Sequence, residues 1–350
     1  MRSMTMKAGG ALAFAALLAF AALVPAQAAD ADRMLGVVEP VMAKEKYKLA
    51  YLTADINQAF FLGAAYGVID EAERSGAEVV RVFSAGGYGK VAEQIGQMET
   101  ARAMGVDAVI LLSSAYNGFE KQIKRLTDSG IKVILLGAPI NSKDASLIIA
   151  QNEGGLGALM AKHICAAKSG ATVATLPGPP GVAWNKLRFE GFQEEAKSCG
   201  LKLVGNVYKG HITIEEAQAQ TTDLLLKYPE TDYIYAVAGV FGVGAAQVAK
   251  RMKHKAKVVT AVVYEKTVEM IEEGYISMAV AEPAVLFGRA STQYAIRVLN
   301  GDPLPNLVPG IFDYPAAFVR NLTIERKDLG DYDLYTYDLP PVGWKPKQLQ

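Results

Sequence analysis

"DAVILLSSAYNGFEKQIKRLTDSGIKVILLG", residues 107–137, sets two short apolar runs on either side of a more polar stretch. The runs "DAVILLS" and "KVILLG" are too uniformly apolar for strands with one wet face, so they read as parallel strands buried on both sides. Between them, "FEKQIKRLTDSG" has apolar residues at helical spacing and a terminal glycine. The unit is β-α-β.

The same alternation extends from about residue 47 to residue 300. Further strands are expected at "YKLAYLTA" (47–54), "EVVRVF" (78–83), "SLIIAQ" (146–151), "ATVATLP" (171–177), "KLVGNVY" (202–208), "YIYAVAG" (233–239), "KVVTAVV" (257–263) and "ISMAVAE" (276–282). About ten strands exceed one compact doubly wound domain, so the chain is divided between two α/β lobes. Crossings are expected near "IIAQNEGG", after "AVAEPA" and after the turn "NGDPLPN". That places residues 44–150 and 283–308 in the first lobe, and residues 151–282 and 309–350 in the second. The Tyr- and Pro-rich tail is expected to return to the second lobe and then run over the surface.

Ahead of the lobes, Arg2 and Lys7 precede the apolar run "ALAFAALLAFAALV" (11–24), Pro25 and Ala26-Gln27-Ala28. The run is short for a membrane span, which needs about 20 residues, and a small-x-small cleavage pattern follows it. Residues 1–28 therefore read as a signal peptide for export to the periplasm, with a mature chain that is not embedded in the membrane.

The 350 residues carry 36 basic and 36 acidic side chains, and two of the basic ones lie in the leader. With no long basic run, a nucleic-acid partner is not expected. Two cysteines, Cys165 and Cys199, lie near the ends of expected helices. In an oxidising compartment they are either a disulfide or two buried thiols. Two cysteines and three histidines make a zinc cluster improbable, and no cofactor is implied.

In open α/β sheets, ligands sit beyond the carboxyl ends of the strands. The segments there concentrate aromatic residues: Phe60, Phe61, Tyr88, Tyr116, Phe119, Trp184, Phe241 and Tyr264. Helix geometry separates adjacent side chains, so one of Phe60 and Phe61 is expected to anchor its helix and the other to enter a cleft. Ser114 follows a strand as a helix cap or ligand donor, and Asn185 is a further candidate donor. Enzyme signatures are missing. "GGYGK" lacks the first glycine and the hydroxyl residue of a phosphate loop, "GVFGVGAAQ" lacks full dinucleotide spacing, and no nucleophile elbow surrounds Ser113 or Ser114.

The stretches "NQAFFLGAAYGVIDEAERSGAEV", "NKLRFEGFQEEA" and "GYISMAVAEPAVLFGRASTQYAIRVLNGDPLP" resemble the type I periplasmic solute-binding proteins, which include ribose- and galactose-type receptors. The resemblance implies two doubly wound, Rossmann-like lobes joined by a three-segment hinge. It implies a stacking aromatic at Phe61, an arginine at Arg188 that meets the ligand, and a polar pocket residue at Glu282. "AGGYGKVAEQIGQMETARAMGVDAVILLSSAYNGF" and "LPGPPGVAWNKLRFEGF" are similar to a TorT-like subgroup. That likeness adds Tyr88, trimethylamine N-oxide or a related amine as ligand, and a membrane sensor histidine kinase as partner. The alternative is a sugar-binding component of an ABC transporter, with a permease as partner. In sugar receptors an Asn-Asp pair usually follows the "YIYAVAG" strand, and here Val240 and Phe241 take its place.

Overall fold

A computed structural model describes residues 34, 36–205, 207–309 and 312–349; the expected leader, residues 1–28, lies outside them. Strands β1 (Lys48–Thr53), β2 (Glu78–Ser84), β3 (Ala108–Leu111), β4 (Lys132–Leu136) and β5 (Leu147–Gln151) form a parallel sheet in the order β2-β1-β3-β4-β5. Helices α1 (Ala59–Arg74), α2 (Val91–Ala103) and α3 (Glu120–Asp128) connect successive strands. All of β3 and β5, and all of β4 but Lys132, is buried, which is why these strands read as continuous apolar runs.

The second lobe repeats the plan. Strands β6 (Thr172–Leu176), β7 (Lys202–Val204), β8 (Tyr233–Ala236), β9 (Lys257–Ala261) and β10 (Ile276–Ala281) form a sheet in the order β7-β6-β8-β9-β10, again parallel. Its helices are α4 (Glu153–Ala167), α5 (Ala183–Ser198), α6 (Ile214–Lys227), α7 (Gly239–Arg251) and α8 (Glu265–Glu272). In both sheets the strand order reverses around the first strand of the lobe. A crevice opens beyond the carboxyl ends there, and the two crevices face each other.

The first crossing falls between Gln151 of β5 and Glu153 of α4, and the second between β10 and α9 (Ala284–Asn300), which packs on α1. The third crossing falls later than expected, and the tail divides between the lobes. Strand β11 (Ala316–Val319) adds to the first sheet, parallel to β5, and β12 (Leu322–Ile324) adds to the second, antiparallel to β10. The chain then returns, through the short helix α10 (Leu334–Tyr337), until Val82 N of β2 donates to Gln348 O at 3.0 Å.

Residues 309–350 are therefore not a unit of the second lobe, a correction with a clear physical cause. Only four residues make β11, behind Pro315, and they need no alternation because β5 and the flanking core bury them. Tyr314, pinned by a 2.9 Å hydrogen bond from Ile140 N to its hydroxyl, fixes the approach.

Helices α4 and α5 cross without side chains between them. A Cβ on Gly157 would sit 1.9 Å from Arg188 O, and one on Gly191 would sit 2.1 Å from Gly154 O. The close approach decides where Arg188 is held. Further along, the same pair is tied by the Cys165–Cys199 disulfide, with Cα atoms 5.7 Å apart. The two cysteines stand 34 residues apart. Closing a loop of that length stabilises a fold by about 2–4 kcal/mol. Cys165→Ser/Cys199→Ser should lose about that much in chemical unfolding, with the fold retained.

Candidate ligand-binding site

Between the lobes lies a cavity of about 300 Å3. Its first-lobe wall comes from the loop after β1 and the first turn of α1 (Gln58, Phe60, Phe61), with Tyr88, Leu112, Gly137 and Phe287. From the second lobe come Glu153, Trp184, Arg188, Ala238, Gly239, Val240, Val262, Tyr264 and Glu282. Most are strand-end residues, so the doubly wound plan brings them together.

Asp55 shapes the loop that presents the phenylalanines, accepting from Asn57 N at 3.0 Å and from Gln58 Nε2 at 3.1 Å. Both Phe60 and Phe61 line the cavity. Phe60 meets Phe287 edge-on at 5.9 Å and Phe61 meets Tyr88 at 5.9 Å. The two differ in burial: Phe61 is 3% exposed and belongs to the first-lobe core while also reaching the cavity, and Phe60 is half-buried against that core. Tyr88 reaches across the lobes, its ring 6.2 Å from that of Trp184. Burial raises the Tyr88 phenol, with Glu282 adding to the effect, so the ring stays neutral.

Arg188 is 1% exposed and every nitrogen of its guanidinium has a protein partner. Nε and Nη2 donate to Glu153 Oε2 at 2.9 and 2.6 Å, and Nη1 donates to Val237 O at 2.7 Å. Nη1 also pairs with Glu282 Oε1 at 2.7 Å, and the guanidinium lies 4.9 Å from the Trp184 ring centre. Burial pushes the Glu153 carboxyl up to about 7; Arg188 opposes the rise and Glu282 adds to it.

Two groups are left wanting partners. Among the described residues, the buried Tyr264 hydroxyl finds no hydrogen-bond partner, and Trp184 Nε1 lies beside the Tyr88 hydroxyl without a well-aligned one. Buried donors in that condition commonly await a ligand or water. Val262, at φ 64°, is a β-branched residue in the left-handed region at the cavity wall, a costly conformation concentrated at functional sites.

Of the residues expected from sequence, Phe60, Phe61, Tyr88, Trp184, Arg188, Tyr264 and Glu282 meet at this cavity. Four do not. Phe241 is fully buried in the second-lobe core, because one step along α7 turns it away from Val240, which does line the cavity. Asn185 spends its amide on Pro177 O at 3.0 Å and Pro179 O at 2.6 Å, shaping the turn before α5. Ser114 is buried with its backbone N held by Gln94, and Tyr116 stands 38% exposed in an outer groove. Phe119, at the rim by sequence, is core. Sequence reasoning missed Glu153, since an acidic residue in a first helical turn reads as a favourable dipole contact.

Two α/β lobes with a solute-sized cavity at facing switch points define a binding protein of the hinged, two-lobed class. A family model for the periplasmic binding protein domain matches residues 49–303, and the chain belongs to that family, as a type I member related to ribose-type receptors. It is 24% identical over 312 residues to the periplasmic protein TorT of Escherichia coli, covering 88% of this chain and 86% of TorT. Among solved structures, a sugar ABC transport system substrate-binding protein from Bordetella parapertussis is 35% identical, with a TM-score of 0.87 over 90% of this chain and 100% of that one. An ABC transporter solute-binding protein from a Bradyrhizobium species, with bound bis-tris, is 25% identical, with a TM-score of 0.75 over 88% of this chain and 90% of that one. No helix among the described residues is long and apolar enough to cross a membrane.

Removing the guanidinium leaves two buried glutamates without a countercharge, a loss of about 3–5 kcal/mol. Arg188→Met should be destabilised by that amount at pH 8. The folded variant would bind more protons than its unfolded chain, so its stability should rise as pH falls from 8 to 6. Urea unfolding at both pH values checks this.

Proposed function

We propose that the mature chain is a periplasmic receptor that closes on a small methylated amine or amine oxide, such as trimethylamine N-oxide, and presents the closed form to a membrane sensor histidine kinase. It binds without turnover. The observation that carries the reading is the cavity wall: six aromatic side chains, Phe60, Phe61, Tyr88, Trp184, Tyr264 and Phe287, against few polar groups with capacity to spare.

A methyl-ammonium shell gains about 0.5–2 kcal/mol from each well-placed aromatic face. An attached oxygen finds donors in the Tyr264 hydroxyl and the Trp184 indole. A sugar asks for more. Each buried hydroxyl left unpaired costs about 1–3 kcal/mol, and Arg188, the expected sugar donor, is fully engaged by protein groups. Ala238, Gly239 and Val240 add no side-chain polar group where the strand β8 ends. The likeness to TorT across most of both chains supports a signalling partner.

A second reading, the sugar-binding component of an ABC transporter with a permease as partner, is favoured by the likeness to the Bordetella parapertussis protein. Calorimetric titration of residues 29–350 separates the two. Saturable binding of trimethylamine N-oxide, weakened roughly 3- to 30-fold in Phe61→Ala and in Tyr88→Ala, is expected on the first reading. Binding of ribose or galactose, with no response to the amine oxide, would establish the second.

A further inference from the structure

We infer that the cavity takes its solute as a cation, held by Glu153 and Glu282 in the place of a proton. This rests on the amine-receptor reading and narrows its ligand class.

The argument is a charge count inside a closed space. One guanidinium faces two carboxylates, so the fully ionised cluster carries one surplus negative charge. Among the described residues, no other basic side chain lines the cavity. Arg188 is 1% exposed, whereas Glu153 and Glu282 each retain 8% and both line the wall. Both hydrogen bonds from Arg188 to Glu153 go to one oxygen, Oε2, and the ion pair to Glu282 uses Oε1. Among the described residues, Glu153 Oε1 and Glu282 Oε2 accept no hydrogen bond. Both carboxylates line the cavity beside Arg188, and each keeps one oxygen outside the Arg188 pairing, so the surplus negative charge is presented to the solute.

A buried surplus charge is neutralised by a proton or by a counter-ion. The titratable groups facing Glu153 are Arg188 from α5, Glu282 beyond β10, Tyr235 from β8 and Tyr88 from the first lobe. Burial raises both tyrosines, so neither supplies charge. Asp338, beyond Glu282, is buried, bonded to the Tyr332 hydroxyl and raised to about 8. Glu153, at about 7, is the group that gains or loses its proton near neutrality. A cation seated among the aromatic rings does what that proton does, and the two compete. Its affinity then rises with pH until Glu153 is fully ionised, and binding releases a proton.

Choline and 3,3-dimethylbutan-1-ol, which share a shape and differ in charge, make the test. Calorimetry of residues 29–350 at pH 6, 7 and 8, in buffers of differing ionisation heat, should show choline at least tenfold tighter than the neutral alcohol at pH 8. Its affinity should rise severalfold from pH 6 to 8, with proton release near pH 7. Glu153→Gln should remove the pH dependence and weaken choline about tenfold relative to the alcohol; Glu282→Gln, with Arg188 still paired to Glu153, is the second variant if the first does not fold.

Equal binding of the two probes, proton uptake, or no choline binding at millimolar concentration would overturn the inference. If trimethylamine N-oxide still binds, the amine-receptor reading survives that result. If only ribose or galactose binds, both fall.

Discussion

Arg188 is the residue on which both the hinge and the cavity depend. Its guanidinium reaches Glu153 at the first crossing, Glu282 at the second and Val237 O at the end of β8. Three segments far apart in sequence are thus held by one side chain. Desolvating three charges is costly, and only complete pairing offsets it. The pairing is available because two glycines let α4 and α5 touch backbone to backbone, which sets the guanidinium at the depth of both carboxylates. A larger residue at Gly157 would displace Arg188 itself.

With the arginine consumed, the character of the cavity is set by what remains: aromatic faces, two carboxylates and a few orphan donors. Such a site discriminates by desolvation. On the proposed reading, a polyhydroxylated solute would leave hydroxyls unpaired, whereas a compact amine would lose little. Residues from both lobes line the wall, so a solute that touches both favours the closed arrangement by the difference in its affinity for the two forms. Moving a receptor from nearly all open to nearly all closed takes about 5.5 kcal/mol of such difference. Several aromatic contacts and one ionic contact, if made only on closure as the proposed reading requires, would be of that order.

Much of this architecture is legible in the chain, for identifiable reasons. Strands such as β3 and β4 are buried on both faces, and their sequences show it without ambiguity. The segments beyond the carboxyl ends of the strands hold Tyr88 and Trp184, while Arg188 and Glu282 follow from the resemblance to type I binding proteins. Three things resisted. Strand β11 is four residues long and owes its existence to the neighbouring strand β5. Phe241 and Val240 are exchanged by a rotation of one residue on α7, which periodicity over a glycine-rich helix start does not resolve. Glu153 is an ordinary first-turn acid until the fold brings Arg188 beside it.

The chain contains two tryptophans, and their positions supply a direct measurement. Trp184 forms the cavity wall, while Trp344 packs against Tyr66 on the first lobe, with ring centres 5.2 Å apart. In a Trp344→Phe variant, emission reports the cavity alone. Titration with trimethylamine N-oxide or choline should change Trp184 emission saturably, with a midpoint matching the calorimetric affinity. Saturable binding of either compound that leaves Trp184 emission unchanged would place the solute elsewhere and contradict the account.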